Sequence, residues 1–181
     1  MAEAAQPTDN EVTVFSTEWP RELVNSHIEA EPRPMPAKKR LLIVEGDNLQ
    51  RTIYSTVAST AGFSAKPVSS LEEAEAALRV GPVHCVLLDL MLGARSGMEV
   101  LEVIGGLAEK PRVILVTAAA QDLVNSAIRY GDDLGIDMSG SIRKPVDIAL
   151  LRSDLRRIGI AIDMAPQGPG AGGPPVGLGS R

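Results

Sequence analysis

The sequence predicts an α/β fold, a doubly wound five-stranded parallel sheet with helices on both faces that forms a three-layer sandwich. Short aliphatic runs alternate along the chain with amphipathic segments, which indicates repeated strand–helix units. Three of the runs are almost continuously apolar, as expected of strands that are covered on both faces. These central strands are Leu41–Val44, Val83–Leu88 and Val113–Val116.

Segments with helical periodicity follow the strands. In the first, Leu49, Ile53 and Val57 recur every fourth residue, which predicts one buried stripe, and Gly62 ends the helix. The second begins after Ser70, whose hydroxyl suits a helix cap. Apolar residues mark the later helices: Ala74, Ala77 and Leu78 in the second; Val100, Leu101, Ile104 and Leu107 in the third; Leu123, Val124, Ala127 and Ile128 in the fourth; Ile148, Leu151, Leu155 and Ile158 in the fifth.

Weaker signals predict two more strands, Phe63–Pro67 and a stretch near Ile136–Ile142. The folded domain is therefore expected to span residues 40–160. An N-terminal extension, residues 1–39, is expected to be partly disordered, and the Gly- and Pro-rich tail, residues 161–181, is too poor in apolar side chains to offset its ordering entropy. Trp19 and its apolar neighbours make the extension more hydrophobic than a spacer. Docking on its own domain, pairing with a second copy and binding a partner stay open.

Composition excludes several classes of function. The net charge is -5 and no basic stripe is present, which argues against a nucleic-acid partner. No stretch reaches the roughly 20 apolar residues of a membrane span, and the chain does not start like a signal peptide. We therefore expect a cytoplasmic protein without membrane insertion.

The single cysteine, Cys85, cannot form an internal disulfide, and its apolar surroundings in the sequence predict a buried structural residue. The neighbouring His84 raises the question of a metal site. No second pair of residues with ligand spacing exists, so we expect a buried, hydrogen-bonded histidine instead.

Polar residues follow four of the predicted strands. In an open parallel sheet, ligands and reactive groups gather outside the carboxyl ends of the strands. The residues at these ends are Glu45, Gly46 and Asp47 after the first strand, Asp89 after the third, Thr117 and Ala118 at the fourth, and Lys144 and Pro145 at the fifth. Carboxylates, a hydroxyl and a lysine are thus expected to converge at one edge.

This set suits phosphoryl transfer, which needs a carboxylate nucleophile, a divalent cation and fixed donors for the phosphate oxygens. A magnesium ion would also relieve the repulsion between clustered carboxylates. Each residue has a plainer explanation: Asp89 could cap a loop, Lys144 could be a surface charge and Thr117 could end a strand. Together at four strand ends, they favour the chemical interpretation.

Four segments also match one known family in order, spacing and placement: Leu42–Asp47, Val86–Met91 with Ser96–Gly97, Val116–Ala118 and Arg143–Pro145. Over residues 40–159 the chain resembles the receiver domain of two-component response regulators. The resemblance implies a flavodoxin-like fold of the receiver type. It also implies a phosphoprotein that changes its protein partners and is not an enzyme beyond its own phosphorylation and dephosphorylation.

The resemblance implies a role for each strand-end residue. Asp89 would accept the phosphoryl group, and Lys144 would form an ion pair with the acceptor or with the phosphoryl group. Thr117 would shift toward the phosphate, and the Ala118 amide would donate to it. Lys144–Pro145 matches the family's lysine followed by a cis-proline, an isomer that is accessible before proline.

For Mg²⁺, the resemblance implies the carboxylates of Glu45 and Asp89 and the backbone carbonyl of Met91 as ligands. The family places two adjacent acids after the first strand, but Gly46 takes the second place and offers no ligand. Magnesium affinity should therefore be low unless Asp47 turns inward or water fills the position. We favour Asp47 as the cap of the first helix, where its carboxylate meets free backbone N–H groups.

Two further departures concern signal output. Ser141 stands three positions before the lysine, where the family commonly carries an aromatic residue, so any signal must travel through the loops or the fourth helix. The segment Gln121–Ile142 is also long for the family. A lengthened fourth helix or loop is expected there, with Asp132 and Asp133 near its end.

Two functions from different classes remain. One is a single-domain response regulator, phosphorylated on Asp89 by a histidine kinase or a phosphotransfer protein, that signals through contact with a downstream protein target. The other is a receiver-like binding module or scaffold that works without phosphorylation. Whether the protein forms a homodimer stays open. A nucleotide-binding enzyme is disfavoured because the loop after the first strand lacks a glycine-rich fingerprint.

Overall fold

The computed structural model describes residues 39–93 and 95–165. Within them a five-stranded parallel sheet has the strand order β2-β1-β3-β6-β7, which confirms the predicted fold class. A separate two-stranded ribbon joins β4 and β5. The elements are β1 (Lys39–Val44), α1 (Asn48–Thr60), β2 (Phe63–Val68), α2 (Leu71–Val80), β3 (Cys85–Leu88), β4 (Met91–Leu92), β5 (Arg95–Ser96), α3 (Gly97–Gly105), β6 (Arg112–Thr117), α4 (Gln121–Asp133), β7 (Met138–Arg143) and α5 (Ile148–Met164).

Two apolar cores lie on the two faces of the sheet. Side chains alternate along a strand, so Leu42 and Val44 of β1 enter one core while Leu41 and Ile43 enter the other. Helices α2, α3 and α4 cover the first face, and α1 and α5 cover the second. The sheet is thus buried on both sides, which explains why its central strands are continuously apolar.

The predicted buried stripe of α1 is wrong at two of its three positions. Leu49 is 68% exposed and Ile53 is 38% exposed, and the buried residues are Tyr54, Val57 and Ala58. A spacing of four residues drifts by about 40° per step around a helix of 3.6 residues per turn. Leu49 therefore lies well to the side of Val57, and the buried face instead follows the mixed spacing of three and four residues.

The other helices mostly follow their predicted apolar positions. The marker residues of α2, α3 and α5 are buried, apart from Ile148, which is partly buried, and Leu107, which lies beyond the end of α3. In α4, Val124 and Ala127 are buried, whereas Leu123 is 37% exposed. The helix ends at Asp133, so the aspartate pair closes it as expected.

Side-chain caps explain where several helices begin. Asp47 caps α1, with its Oδ1 accepting from the Gln50 N–H at 2.8 Å, as the sequence predicted. Ser70 caps α2 by accepting from the Glu73 N–H at 3.3 Å. Asp147 caps α5. These caps satisfy N–H groups that have no partner within their helices, which fixes each loop-to-helix transition.

Some sequence-based predictions fall outside this region. Trp19 and the rest of the N-terminal extension before Lys39 lie outside the described residues, as do residues 166–181 of the tail. Helix α5 runs to Met164, so residues 161–164, which were assigned to the tail, are helical. Among the described residues, none of the helices combines the length and the apolar composition that spanning a bilayer requires.

His84 and Cys85 lie at the amino-terminal edge of β3. Cys85 is fully buried with a free thiol, and burial raises the pKa of that thiol to about 12. His84 is partly buried, and its Nδ1 accepts from the Arg40 N–H at 3.0 Å. Cys85 is thus a buried structural residue, as predicted, and His84 has the hydrogen bond that was predicted for it.

The partial burial of His84 predicts a pH dependence of stability. Burial, and then the positive charge of Arg40, lowers the pKa of His84. Because the folded state disfavours the proton, the free energy of unfolding should fall as pH drops through the unfolded value of about 6.5, between roughly pH 7 and pH 5. Urea denaturation across this range measures the slope. His84→Asn keeps an acceptor without a titrating group and should flatten it; equal slopes in both proteins would contradict the assignment.

Candidate functional site

Four polar residues meet at the carboxyl edge of the sheet. Glu45 follows β1, Asp89 follows β3, Thr117 ends β6 and Lys144 follows β7. These four strands are neighbours in the order β1-β3-β6-β7, so parallel pairing brings their ends side by side. The backbone hydrogen bonds between the strands continue into the site. The Asp89 N–H donates to the Val44 carbonyl at 2.9 Å, and the Lys144 N–H donates to the Thr117 carbonyl at 3.0 Å.

The Lys144 ammonium group bridges the two carboxylates. Its Nζ donates to Asp89 Oδ2 at 2.6 Å and to Glu45 Oε2 at 2.7 Å. Asp89 is 5% exposed and Glu45 is 3% exposed. Burying charges is costly unless they are paired and hydrogen-bonded, and the shared ammonium meets that requirement for both acids.

The other oxygen of each carboxylate accepts a backbone N–H. Asp89 Oδ1 accepts from Met91 at 2.9 Å, and Glu45 Oε1 accepts from Asp47 at 3.0 Å. Each side chain is therefore held at both oxygens, by the ammonium on one side and by its own loop on the other.

The charged state of Lys144 is stable in this arrangement. Burial lowers the pKa of its ammonium group, but the hydrogen bonds and charges of Asp89 and Glu45 outweigh this effect and raise the pKa above its usual value. Lys144 thus stays protonated throughout the physiological range, and it can offer a positive charge to a second anionic group at this edge.

Thr117 and Ala118 occupy the end of β6 beside Lys144. Thr117 is buried, and its Oγ1 accepts from the Ala119 N–H at 3.2 Å. Ala118 is exposed and lines an open groove of about 530 Å³ together with Lys144 and Pro145. The Lys144–Pro145 peptide bond is cis, as the family resemblance implied. Each predicted strand-end residue thus lies at the same edge of the sheet.

Sequence reasoning missed two residues of α1 that line this groove. Tyr54 and Gln50 lie one turn apart, and the Tyr54 hydroxyl donates to Gln50 Oε1 at 2.7 Å. Burial raises the pKa of Tyr54 to about 12, with Lys144 opposing and the site's carboxylates adding to the rise. The sequence did contain a signal for them: Gln50 and Tyr54 are polar residues four positions apart, in the helix that follows the strand-end acid Glu45.

Arg51 is a third residue that the sequence did not reveal. Its Nη1 donates to the backbone carbonyls of Glu45 at 2.6 Å and Gly46 at 2.8 Å. A cation in the first turns of a helix faces the positive end of the helix dipole, so its position there needs compensation. The two carbonyl bonds provide it and fix the loop between β1 and α1.

The residues at this edge fit a magnesium ion only in part. The carboxylates of Glu45 and Asp89 and the Met91 carbonyl are oxygen donors, the type that Mg²⁺ prefers. Gly46 adds no side-chain donor, and Asp47 is exposed and accepts the capping bond from Gln50. Over the residues that the structure covers, no three His, Cys, Asp or Glu side chains form a group able to hold a metal.

The response regulator receiver domain family matches residues 41–156 of the chain. The chain belongs to this family. Receiver domains are signalling domains and not classical enzymes, they interact with histidine kinases or phosphotransfer proteins, and they generally bind Mg²⁺ at their acidic pocket. Among curated proteins, no sequence relative was found.

Solved receiver structures share this fold. The signal receiver domain of a putative Luxo repressor protein from Vibrio parahaemolyticus has a TM-score of 0.60 at 21% identity, covering 72% of this chain and 100% of that chain. A CheY-like receiver domain protein from Methanospirillum hungatei JF-1 has a TM-score of 0.59 at 23% identity, covering 70% and 98%. A CheY-like receiver domain from Methylobacillus flagellatus has a TM-score of 0.57 at 25% identity, covering 67% and 99%.

Removing the shared ammonium should destabilise this receiver. Lys144→Met leaves two buried carboxylates facing each other, which should lower the free energy of unfolding by about 3 kcal/mol at neutral pH. Chemical denaturation of both proteins at neutral pH measures the loss.

Lys66→Met is the matched control, because Lys66 is exposed on the edge strand β2. Its effect should be about 0.5 kcal/mol or less. Similar losses in the two variants at neutral pH would show that the bridge at Lys144 contributes no special stability.

Proposed function

We propose that this receiver accepts a phosphoryl group on Asp89 from a phosphohistidine of a histidine kinase or phosphotransfer protein. The observation that carries the proposal is the Asp89 carboxylate, held at the sheet edge by Lys144 at 2.6 Å and by the Met91 N–H at 2.9 Å. Both donors orient the carboxylate before any phosphodonor arrives. Positioning of this kind is the main contribution that a protein makes to phosphoryl transfer.

In the proposed step, an Asp89 carboxylate oxygen bonds to phosphorus while the phosphorus–nitrogen bond of the phosphohistidine breaks. The bonding electrons leave with the imidazole, and the product is an acyl phosphate on Asp89. This product carries more negative charge than the carboxylate, and Lys144 would compensate for it. The Thr117 hydroxyl, whose oxygen accepts from the Ala119 N–H, would shift toward the phosphate and donate its own hydrogen to it. The Ala118 amide would also donate to the phosphate.

We further propose that Mg²⁺ binds weakly here, through Glu45, Asp89 and the Met91 carbonyl. When bound, the ion would supply positive charge against the incoming phosphate. Gly46 has no side-chain carboxylate to add to these ligands. The Asp47 carboxylate already accepts the hydrogen bond that caps α1. Asp47 could contribute only by giving up the bond that starts the helix.

The proposed output is contact with a downstream protein in the cytoplasm. Ser141 is exposed on the edge strand β7, where an aromatic side chain would serve as the family's readout. The small Ser141 side chain has no large apolar surface that could move between buried and exposed positions, as an aromatic ring could. The signal would therefore pass through the loop after Thr117 into α4, which begins at Gln121.

A second candidate function is a binding module that works without phosphorylation. One observation favours it: the Lys144 ammonium and two backbone N–H groups already satisfy both buried carboxylates. The pocket is therefore stable without a phosphate. Mass measurement separates the two functions.

Incubation of the full chain with Mg²⁺ and a small phosphodonor should add the mass of one phosphoryl group, as measured by intact mass spectrometry. Asp89→Asn should abolish the addition, because an amide oxygen is a poor nucleophile. Asp132→Asn, at the exposed end of α4, is the control and should be phosphorylated like the unaltered protein. A wild-type chain that gains no mass at any magnesium concentration would exclude the switch and leave the binding module.

A further inference from the structure

We infer that the amino-terminal edge of the sheet binds an acidic, partly apolar segment of another protein. Two apolar grooves with a positively charged rim lie there, and residues 81–83, which follow α2, line both of them. This surface is remote from Asp89, so the inference goes beyond phosphoryl transfer and does not depend on it. We call the grooves and their rim the amino-edge surface, which is defined by Arg40, Lys66, Val80, Val83, Leu107 and Lys110.

The apolar part of the amino-edge surface is open to solvent. Val80, the last residue of α2, is 80% exposed, and Pro82 is also exposed. Val83 and Leu107 are partly buried and connect these side chains to the core. The two grooves have volumes of about 230 Å³ and about 440 Å³. Apolar surface that is gathered in this way inside a polar rim is typical of protein contact sites.

The rim carries more positive than negative charge. Arg40 and Lys66 line one groove, and Lys110 lies between two residues that line the other. Over residues 39–93 and 95–165, none of these three side chains forms an ion pair, and Glu109 is the one acidic residue that lines either groove. Unpaired cations around apolar grooves favour a partner that offers both carboxylates and apolar side chains.

The pairing of β1 with β2 brings Arg40 and Lys66 to the same groove. Ser64 lies opposite Arg40 in the parallel register, and Lys66 is two residues further along β2, on the same face. A β-carbon built on Gly81 would lie 2.8 Å from Arg40 Nη1, so the guanidinium group covers the end of α2. The carbonyl end of a helix is negative, and Arg40 offsets this charge. Lys66 therefore remains available for a carboxylate of the partner.

The length of the strands separates the amino-edge surface from the acidic pocket. The six residues of β1 span about 20 Å, at about 3.3 Å per residue. A partner bound at the amino edge would therefore leave Asp89 accessible to a phosphodonor at the carboxyl edge. The receiver could thus hold two proteins at once.

A second copy of the chain is a less suitable occupant. A two-fold dimer through the amino-edge surface would place the two positive rims against each other, and like charges repel. Carboxylates from a different protein have the opposite effect, because each ion pair offsets part of the cost of removing the cations from water. The charge of the rim thus favours an acidic partner over self-association.

A short synthetic peptide in which leucine alternates with glutamate is the probe. It should bind the full chain with a dissociation constant below about 1 mM, and NaCl should weaken the binding. The amide resonances of Lys66, Val80 and Val83 should shift, whereas those of residues 89–93 should not. A matched peptide with glutamine in place of glutamate should bind about tenfold more weakly, because the cations lose their partners.

The sign of a charge placed at position 80 separates recognition of acids from a general loss of apolar surface. Val80→Lys should bind the glutamate peptide about tenfold more tightly than Val80→Asp does, although both changes remove the same exposed apolar side chain. Ile160→Asp is the control, because Ile160 is 60% exposed on α5, and it should leave the affinity unchanged. Lys66→Gln should weaken the binding severalfold and adds a variant on a different element.

Equal affinities of the two Val80 variants, or peptide-induced shifts confined to other surfaces, would overturn the inference. Two other occupants would overturn it as well. A second copy would appear in sedimentation as a dimer that Val80→Asp alters, and the chain's own N-terminal extension would appear as resonances before Lys39 that move in Val80→Asp without any peptide. None of these measurements involves phosphorylation, so they are independent of the mass experiment.

Discussion

The shared ion pair of Lys144 with Asp89 and Glu45 is the interaction on which the rest of this receiver's site depends. Two buried carboxylates at a sheet edge would repel each other, and neither could be buried in its charged form without a partner. One ammonium group satisfies both. The position of Lys144 requires β7 to lie beside β6. The backbone hydrogen bond from the Lys144 N–H to the Thr117 carbonyl extends this strand pairing to the end of the sheet.

The fold supplies this constraint through two apolar cores that hold the sheet from both faces. The apolar side chains of β1, β3 and β6 are buried between helices, so these strands have little freedom to shift in register. Polar side chains lie at the ends of the strands: Lys39, Arg40 and Arg112 at the amino ends, and Glu45, Asp89 and Thr117 at the carboxyl ends. Rigid strands with reactive ends thus place an acid, a lysine and a hydroxyl with the precision that phosphoryl transfer requires.

The positions at which the chain departs from its family change the charge of the acidic pocket and the side chain available for signal output. Gly46 removes a carboxylate, Asp47 is used as a helix cap, and Lys144 compensates for the acids that remain. The pocket is therefore ordered as it stands, which both proposed functions require. Ser141 removes the aromatic readout and directs attention to α4 as the element that could report the state of Asp89.

Much of this molecule could be predicted from the sequence alone. Apolar runs fix strands that are buried on both faces, and a parallel sheet brings its strand ends to one edge, so the fold class and the convergence of Glu45, Asp89, Thr117 and Lys144 follow from local patterns. The tertiary structure decided which face of each helix is buried and which side chains contact one another. Leu49 and Ile53 have helical spacing but lie outside the core, because burial depends on how a helix is rotated against the sheet. Arg51 was likewise hidden, because its bonds to carbonyls five and six positions away depend on the path of the loop between β1 and α1. The sharing of Lys144 was hidden because contacts between residues that are up to 99 positions apart depend on distances that no local pattern contains.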